Sequence, residues 1–182
     1  MSLASIILAL VTLQRLGELV LARHNTRALL ARGALEVGAG HYLLIVFVHA
    51  AWLVALWIFG RDQEVNLLVL AAFVVLQGLR VWILTTLGPR WTTRIIVVPG
   101  ERLVASGPYR YLSHPNYIVV AGEIALLPLA LHLPLVALMF SLLNATVLAI
   151  RVRTESRALA AVSAKCPIRR THRRRRSGLR SC

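Results

Sequence analysis

Residues 117–150 read YIVVAGEIALLPLALHLPLVALMFSLLNATVLAI, an apolar stretch of 34 residues that contains a single charged side chain. As one straight helix it would be about 51 Å long, which exceeds the roughly 30 Å hydrocarbon core of a bilayer. Pro128 and Pro134 flank His132 near the middle of the stretch, where a turn would divide it. We therefore expect a hairpin of two short membrane spans with its turn at His132.

The rest of the chain has the same apolar character. Hydrophobic residues make up 58% of it and charged residues 15%, and the mean hydropathy of +0.70 is too high for a water-soluble domain. The N-terminus lacks the basic region and cleavage site of a signal peptide, so its apolar run reads as a retained first span. The expected fold class is all-α, a polytopic membrane helical bundle of about five transmembrane helices, at about 2–22, 41–60, 66–87, 117–131 and 134–150.

The charges between these spans predict the orientation in the membrane. Lys and Arg accumulate on cytoplasmic loops. The 23–40 loop, the 88–116 loop and the C-terminal segment are basic, whereas the N-terminus, the loop after residue 60 and the His132 turn share one arginine. This alternation predicts an N-terminus outside the cell and a C-terminus in the cytoplasm.

The C-terminal end supplies much of the net charge of +14, because 11 of the 21 Lys and Arg residues lie from Arg151 onward. Such an Arg-rich segment has no core to join. We expect residues 1–163 to form the membrane domain and residues 164–182 a basic, disordered tail that contacts anionic lipid rather than nucleic acid. Cys166 and Cys182 have no metal-site spacing, so we expect neither a disulfide nor a metal site.

Ionisable side chains inside membrane spans are costly, and each needs an explanation. Arg15 and Glu18 lie three residues apart on the first span, which predicts an ion pair within that helix. We expect Arg80 to extend toward the following loop, and His49 to be a hydrogen-bonded packing residue rather than a ligand. Glu123 has no basic residue at helical spacing, so we expect its partner on another helix and its side chain facing a site.

The loop at residues 99–117, PGERLVASGPYRYLSHPNY, is the densest local signal. Its prolines and glycines predict a stiff loop in which His114 is not helical and Pro115 begins the next helix. An aromatic belt at the membrane interface is the alternative explanation for its tyrosines. The loop would bring to one helix N-terminus the side chains of Tyr109, Tyr111, His114, Asn116 and Tyr117.

A second group of polar residues, RVRTE at residues 151–155, follows the last predicted span. Together with the loop it resembles the isoprenylcysteine carboxyl methyltransferase family, in particular its small bacterial members. The resemblance covers residues 100 to 160 and rests on Leu103, Val104, Ser106 to Tyr109, Tyr111, His114 to Tyr117, Glu123, Leu127 to Leu129, Asn144, Arg151, Arg153 and Glu155.

The resemblance implies a multi-pass enzyme of the bacterial plasma membrane that uses S-adenosyl-L-methionine. It implies that the cofactor lies between the loop and the helix after the last span, and that a lipophilic acceptor enters from the bilayer and is bound by Arg151. It assigns cofactor binding to Glu101, Arg102, Leu103, Val104, Tyr109, His114, Pro115, Asn116, Tyr117 and Glu155.

The candidate catalytic residues are Arg151 and Glu123. An Arg guanidinium can hold an acidic acceptor in a bidentate fork, and we expect the acceptor oxygen to displace the methyl group directly. A carboxylate acceptor is ionised at neutral pH, whereas a hydroxyl with a pKa of about 10 would need a base. Glu123 or His114 is the expected base in that case.

Two other functions are compatible with parts of the sequence. An NADPH-dependent, sterol-reductase-like membrane enzyme would share the His-Pro-Asn-Tyr loop, but the chain has no Gly-rich phosphate loop. A non-catalytic membrane scaffold would use the basic tail to bind anionic lipid or nucleic acid. That function leaves Glu123, Glu155 and the stiff loop without a purpose.

Overall fold

Five α-helices make up most of the chain in this computed structural model. The structure describes residues 2–37, 39–98, 104–112 and 114–165, without the side chains of residues 39, 41 and 155–165. The elements in chain order are α1 (Leu3–Ala31), β1 (Leu35–Val37), α2 (Ala39–Gly60), α3 (Leu67–Leu87), β2 (Ile95–Val97), α4 (Pro115–Ala130) and α5 (Pro134–Lys165).

Successive helices run in opposite directions, which gives the bundle two different ends. The Ser5 hydroxyl donates to the carbonyl oxygen of Arg61 at 2.9 Å, so the start of α1 lies beside the end of α2. The amide of Asn66 donates to the carbonyl of Ala130 at 2.8 Å, which joins the start of α3 to the end of α4. We call this side the turn end. The opposite side, with the β-strands and the start of α4, is the sheet end.

The predicted hairpin in residues 117–150 is confirmed, but only its first helix is short, because the second has 32 residues. The two helices end and begin at Ala130 and Pro134, and His132 between them adopts a left-handed backbone with φ of 56°. The amide of Leu133 donates to the carbonyl of Pro128 at 2.9 Å and closes the turn. Pro128 and Pro134 therefore flank the turn at the position that their spacing predicted.

The outer surface of the bundle is apolar, as contact with lipid requires. Leu68 is 83% exposed, and many other leucines and valines on the outside of the helices are also exposed. Within the described residues, four helical segments are long and apolar enough to cross a membrane, at Leu3–Ala31, Tyr42–Gly60, Leu67–Arg90 and Pro134–Thr154. The chain is a multi-pass integral membrane protein.

The fifth helix, α4, is short and central. Its 16 residues would extend about 24 Å, less than the thickness of the hydrocarbon core. It packs against α3 and α5. A Cβ atom on Gly122 would lie 2.5 Å from Leu76 Cδ1, so the glycine lets α3 and α4 approach closely. This approach brings their polar residues within bonding distance of each other.

The predicted end of the first helix, near residue 22, is wrong. The α1 helix continues to Ala31, so Arg23 and Arg27 lie on the helix rather than in a loop. Hydropathy marks the part of a helix that suits lipid, whereas the residues that follow here are mostly good helix formers and extend it into water. The helix ends before Gly33, whose φ is 85°.

The all-α prediction missed one small sheet. Strands β1 and β2 pair antiparallel, with Leu35 opposite Val97 and Val37 opposite Ile95. Three-residue strands are too short for an alternating pattern to be recognised in a sequence. The sheet joins the α1–α2 connection to the α3–α4 connection. Strand β2 comes directly after the loop segment that lines the site described below.

Candidate functional site

Four charged side chains form a buried network between α1, α3 and α4. Arg80 donates from Nε and Nη2 to the two Glu18 carboxylate oxygens at 2.5 and 2.6 Å, and from Nη1 to Glu123 at 2.7 Å. Arg15 lies 3.1 Å from Glu18 and 2.7 Å from Glu123. With two positive and two negative groups the network is neutral. Buried charges are tolerated in this form because each one is paired.

The network decides three expectations from the sequence. The Arg15–Glu18 pair within one helix is confirmed, and so is a partner for Glu123 on another helix. The expectation that Arg80 extends toward the loop is wrong, because Arg80 is 5% exposed and bonded to carboxylates on two other helices. Gln77 donates to Glu123 at 2.8 Å and completes its set of partners.

A cavity of about 260 Å³ lies beside this network, among α1, α2, α4 and α5. Most of its wall is apolar, from residues such as Leu19, Ile45, Val120 and Val147. The polar residues that line it are Thr12, Arg15, Glu18, Tyr42, His49, Arg80, Thr92, Thr93, Asn116, Tyr117, Asn144 and Arg151.

Arg151 closes the cavity at the sheet end. Its Nε donates to the Tyr117 hydroxyl at 3.0 Å, and its Nη1 donates to the Thr93 carbonyl at 2.8 Å. The Tyr42 hydroxyl lies 3.2 Å from Thr93 Oγ1 on the same side. Among the side chains that the structure describes, no carboxylate contacts Arg151. Among these side chains and backbone groups, its guanidinium is held in place by uncharged oxygens.

The stiff loop delivers part of the expected group of side chains. His114 has a φ of −136°, and α4 begins at Pro115, as the sequence predicted. The His114 and Tyr117 rings stack with centroids 5.1 Å apart, and Asn116 and Tyr117 reach the cavity. Tyr111 points away and is 74% exposed.

Comparison with known proteins identifies the family. A family model described as the isoprenylcysteine carboxyl methyltransferase (ICMT) family matches residues 67–161, just over half of the chain. The chain belongs to this family. The resemblance carried by the loop and by the 151–155 segment is thereby confirmed, and the chain is a membrane methyltransferase.

Two relatives agree along most of their length. The uncharacterized protein YpbQ of Bacillus subtilis (strain 168) is 36% identical over 165 residues, which cover 88% of this chain and 98% of the relative. An uncharacterized protein of Haemophilus influenzae is 24% identical over 152 residues, which cover 80% of this chain and 88% of that protein. No solved structure matches the chain.

Several of the methyltransferase's expected site residues lie away from the cavity or outside the described part. Tyr109 packs in an apolar cluster with Ile83 and Trp91 at the sheet end, and Val104 is half-buried. Residues 99–103 and 166–182 lie outside the described residues, and these include Glu101, Arg102, Leu103 and nearly all of the predicted tail. Glu155 lies on α5 one turn beyond Arg151, and its side chain is not described.

Among the residues that line the methyltransferase's cavity, Thr93 and Tyr42 were missed and His49 was underestimated. The Thr93 carbonyl holds Arg151, but a main-chain group in a short loop leaves no signal in a sequence. Tyr42 is a single tyrosine near the start of α2. His49 forms the expected hydrogen bond, with Nδ1 2.8 Å from the Ile45 carbonyl oxygen, yet it also lines the cavity.

Proposed function

We propose that this methyltransferase uses S-adenosyl-L-methionine to methylate an oxygen of a lipophilic acceptor at the cytoplasmic face of the membrane. One observation carries the proposal. The two segments that define the family place Tyr117 and Arg151 together at the polar end of a largely apolar cavity. Ligand sites commonly combine an apolar wall with a few polar groups that fix orientation.

The distribution of arginines supports the proposed orientation. At the sheet end of the described chain lie Arg23, Arg27, Arg32, Arg90, Arg94, Arg110, Arg151 and Arg153. At the turn end, Arg61 is accompanied by Asp62 and Glu64. By the positive-inside rule the sheet end is cytoplasmic. With α4 as a short fifth span, the N-terminus is then outside and the C-terminus in the cytoplasm.

The described residues around the start of α4 fit the cofactor. When bound, S-adenosylmethionine supplies a methyl group attached to a positively charged sulfur. Once the methyl group is transferred, the rest of the molecule leaves as a neutral thioether. The stacked rings of His114 and Tyr117 offer aromatic faces, which suit an adenine ring and a sulfonium. Asn116 adds an amide at the cavity wall. The proposed set is completed by Glu101, Arg102, Leu103, Val104, Tyr109, Pro115 and Glu155.

The entry route for the acceptor lies between α1 and α2. Leu16 on α1 lines the cavity and is 55% exposed on the outer surface, and Ala50 on α2 also lines the cavity and is exposed. A surface that is exposed among apolar helices in a membrane protein faces lipid. An apolar molecule dissolved in the bilayer can therefore reach the cavity without crossing water.

Arg151 binds and orients the acceptor oxygen in this proposal. Tyr117 and Thr93 hold two of its nitrogens, and Nη2 has no partner within the described part of the chain, so it is free to donate to the acceptor. An ion pair is strengthened where water is excluded. The arginine is positioned before the acceptor arrives, which lowers the cost of orienting it.

The geometry favours an acceptor oxygen that is already ionised at neutral pH, such as a carboxylate. Neither expected base, Glu123 or His114, is among the residues that line the cavity. Both Glu123 oxygens are bonded within the network. In this proposal Glu123 therefore acts indirectly, by holding Arg15 and Arg80 in place.

Ligand binding to the full chain in lipid nanodiscs tests the proposal. We expect S-adenosylmethionine to bind, NADPH not to bind, and a Glu155→Ala variant to bind the methyl donor more weakly. Labelled methyl should pass from S-adenosylmethionine to an alkyl carboxylate. Binding of NADPH alone would indicate a reductase, and binding of neither compound would indicate a scaffold.

A further inference from the structure

The cavity has a second polar region, far from Arg151. Tyr42 and Arg151 both contact Thr93, so they mark the same level of the bundle. Because α2 and α5 are antiparallel, His49 lies as far below Tyr42 as Asn144 lies below Arg151, seven residues in each case. At a rise of 1.5 Å per residue, both lie about 10 Å deeper in the membrane. We call this pair of residues the deep subsite.

Asn144 carries a side-chain amide for which the described residues supply no hydrogen-bond partner. It is 2% exposed and lines the cavity. Within the described residues its side chain makes no hydrogen bond, and the apolar Val147 and Leu148 separate it from Arg151 on the cavity wall. Buried amides are nearly always hydrogen-bonded, and an amide without a hydrogen bond is more costly in a membrane than in water. The amide therefore calls for a ligand group or a water molecule in the cavity.

His49 presents a hydrogen-bond acceptor to the same region. Its Nδ1 lies 2.8 Å from the Ile45 carbonyl oxygen. A carbonyl oxygen can only accept, so Nδ1 carries the proton, and Nε2 of the neutral ring is an acceptor. In the part of the chain that the structure describes, this second nitrogen has no partner. At a similar depth, the cavity wall thus carries one acceptor on α2 and one amide on α5 that the described residues leave without a partner.

Two further polar groups without a partner among the described residues belong to residues of the cavity wall. Arg15 Nε and Trp52 Nε1 are buried without a hydrogen-bond partner in the described structure. Both residues also line the cavity.

We infer that the deep subsite binds a hydroxyl group of the acceptor, at about 10 Å from the oxygen held by Arg151. A hydroxyl both donates and accepts, so it can donate to His49 Nε2 and accept from the Asn144 amide. A carbonyl or ether would leave His49 unpaired, and a charged group would be costly at this depth. The inference rests on the proposed function for the position of the reacting oxygen, and it makes the acceptor a two-ended molecule.

A matched pair of probes tests the deep subsite without the methyl donor. The first is an unbranched eight-carbon acid with a hydroxyl on its last carbon, and the second is the same acid without the hydroxyl. By calorimetry on the full chain in nanodiscs, we expect the hydroxylated acid to bind about fivefold more tightly, as one or two good hydrogen bonds allow. Equal or weaker binding would overturn the inference and leave the deep subsite as a place for water.

An Asn144→Leu variant removes the amide at similar volume. We expect it to abolish the preference for the hydroxylated acid, mainly by weakening that ligand. The control is Thr146→Val, a change from polar to apolar on the same helix at an exposed position outside the cavity. The preference should survive in this control, and its loss there, or its persistence in Asn144→Leu, would contradict the inference.

The test separates the two proposals. A chain that binds S-adenosylmethionine and methylates the plain acid, but shows no preference for the hydroxylated one, refutes the deep subsite and leaves the proposed function intact. A chain that prefers the hydroxylated acid but never binds the methyl donor refutes the proposed function and leaves hydroxyl binding at the deep subsite intact.

Discussion

Arg80 and Arg151 are both arginines of the bundle interior, yet their surroundings differ in one decisive respect. Arg80 bonds to the carboxylates of Glu18 and Glu123. Arg151 bonds to a hydroxyl and a carbonyl, with no carboxylate against it among the described side chains. The first charge is neutralised inside the fold, whereas in the proposed function the second binds a ligand.

Under the proposed function, this difference separates a structural charge from a functional one. A buried charge is costly unless it is paired, so the Arg80 network is complete before any ligand arrives. Its members lie on α1, α3 and α4, and it fixes the packing of three helices around the cavity. Arg151 sits where the cavity meets the sheet end, and in the proposed function its remaining donor binds an anion.

Removing one carboxylate from the network is the strongest test of the difference between Arg80 and Arg151. A Glu123→Leu variant leaves two arginines facing one carboxylate, and breaking a buried pair in this way costs about 3–5 kcal/mol. The unfolding free energy measured by denaturant titration should fall by this amount.

The double variant Arg80→Met/Glu123→Leu is the matched control, because it restores neutrality between Arg15 and Glu18. It should be less destabilised than Glu123→Leu alone. If the double variant is instead destabilised by the sum of the effects of the two single substitutions, the charge balance of the network is not what stabilises the packing.

Removing Arg151 should have the opposite profile. In Arg151→Ala the unfolding free energy should fall by less than in Glu123→Leu, by about 1–3 kcal/mol, because no buried charge is left without its partner. The kcat/KM for an alkyl carboxylate should fall about 10- to 100-fold, the range for a lost charge-assisted bond.

Arg153→Ala is the control for that variant. Arg153 carries the same charge on the same helix two residues away, but it is exposed, and its replacement should leave kcat/KM nearly unchanged. Equal losses in the two variants would mean that general positive charge near the membrane, and not the position of Arg151, supports the reaction.

The sequence predicted those features that depend on neighbours along the chain. The hairpin followed from the length of one apolar run and the spacing of Pro128 and Pro134. The start of α4 followed from Pro115. The Arg15–Glu18 pair followed from helical spacing. In each case the physical cause lies within a few residues, so one sequence was enough.

Features that depend on contacts between distant segments were predicted incompletely. The need of Glu123 for a partner was recognisable, because an unpaired carboxylate is not stable in lipid. The identity of that partner could not be predicted. Arg80 was expected to extend toward the loop, because a sequence shows how near the loop is along the chain but not that two carboxylates lie across the bundle. The Thr93 carbonyl and the deep subsite likewise depend on the register between helices.

The smallest expected effect concerns the hydroxyl that holds Arg151. Tyr117→Phe removes the oxygen that accepts from Arg151 Nε at 3.0 Å but keeps the ring that stacks on His114 and lies 5.7 Å from the guanidinium. The loss of one neutral acceptor should lower kcat/KM about three- to tenfold.

Tyr111→Phe is the control, since its hydroxyl lies on an exposed side chain of the same loop, and it should have no effect on kcat/KM. The size of the Tyr117 effect then distinguishes two roles. A loss smaller than that of Arg151→Ala means that the hydroxyl acts through the arginine. A loss as large as that of Arg151→Ala would mean that Tyr117 itself contacts the reacting groups. The site would then depend on two direct contacts instead of one arginine positioned by neutral oxygens.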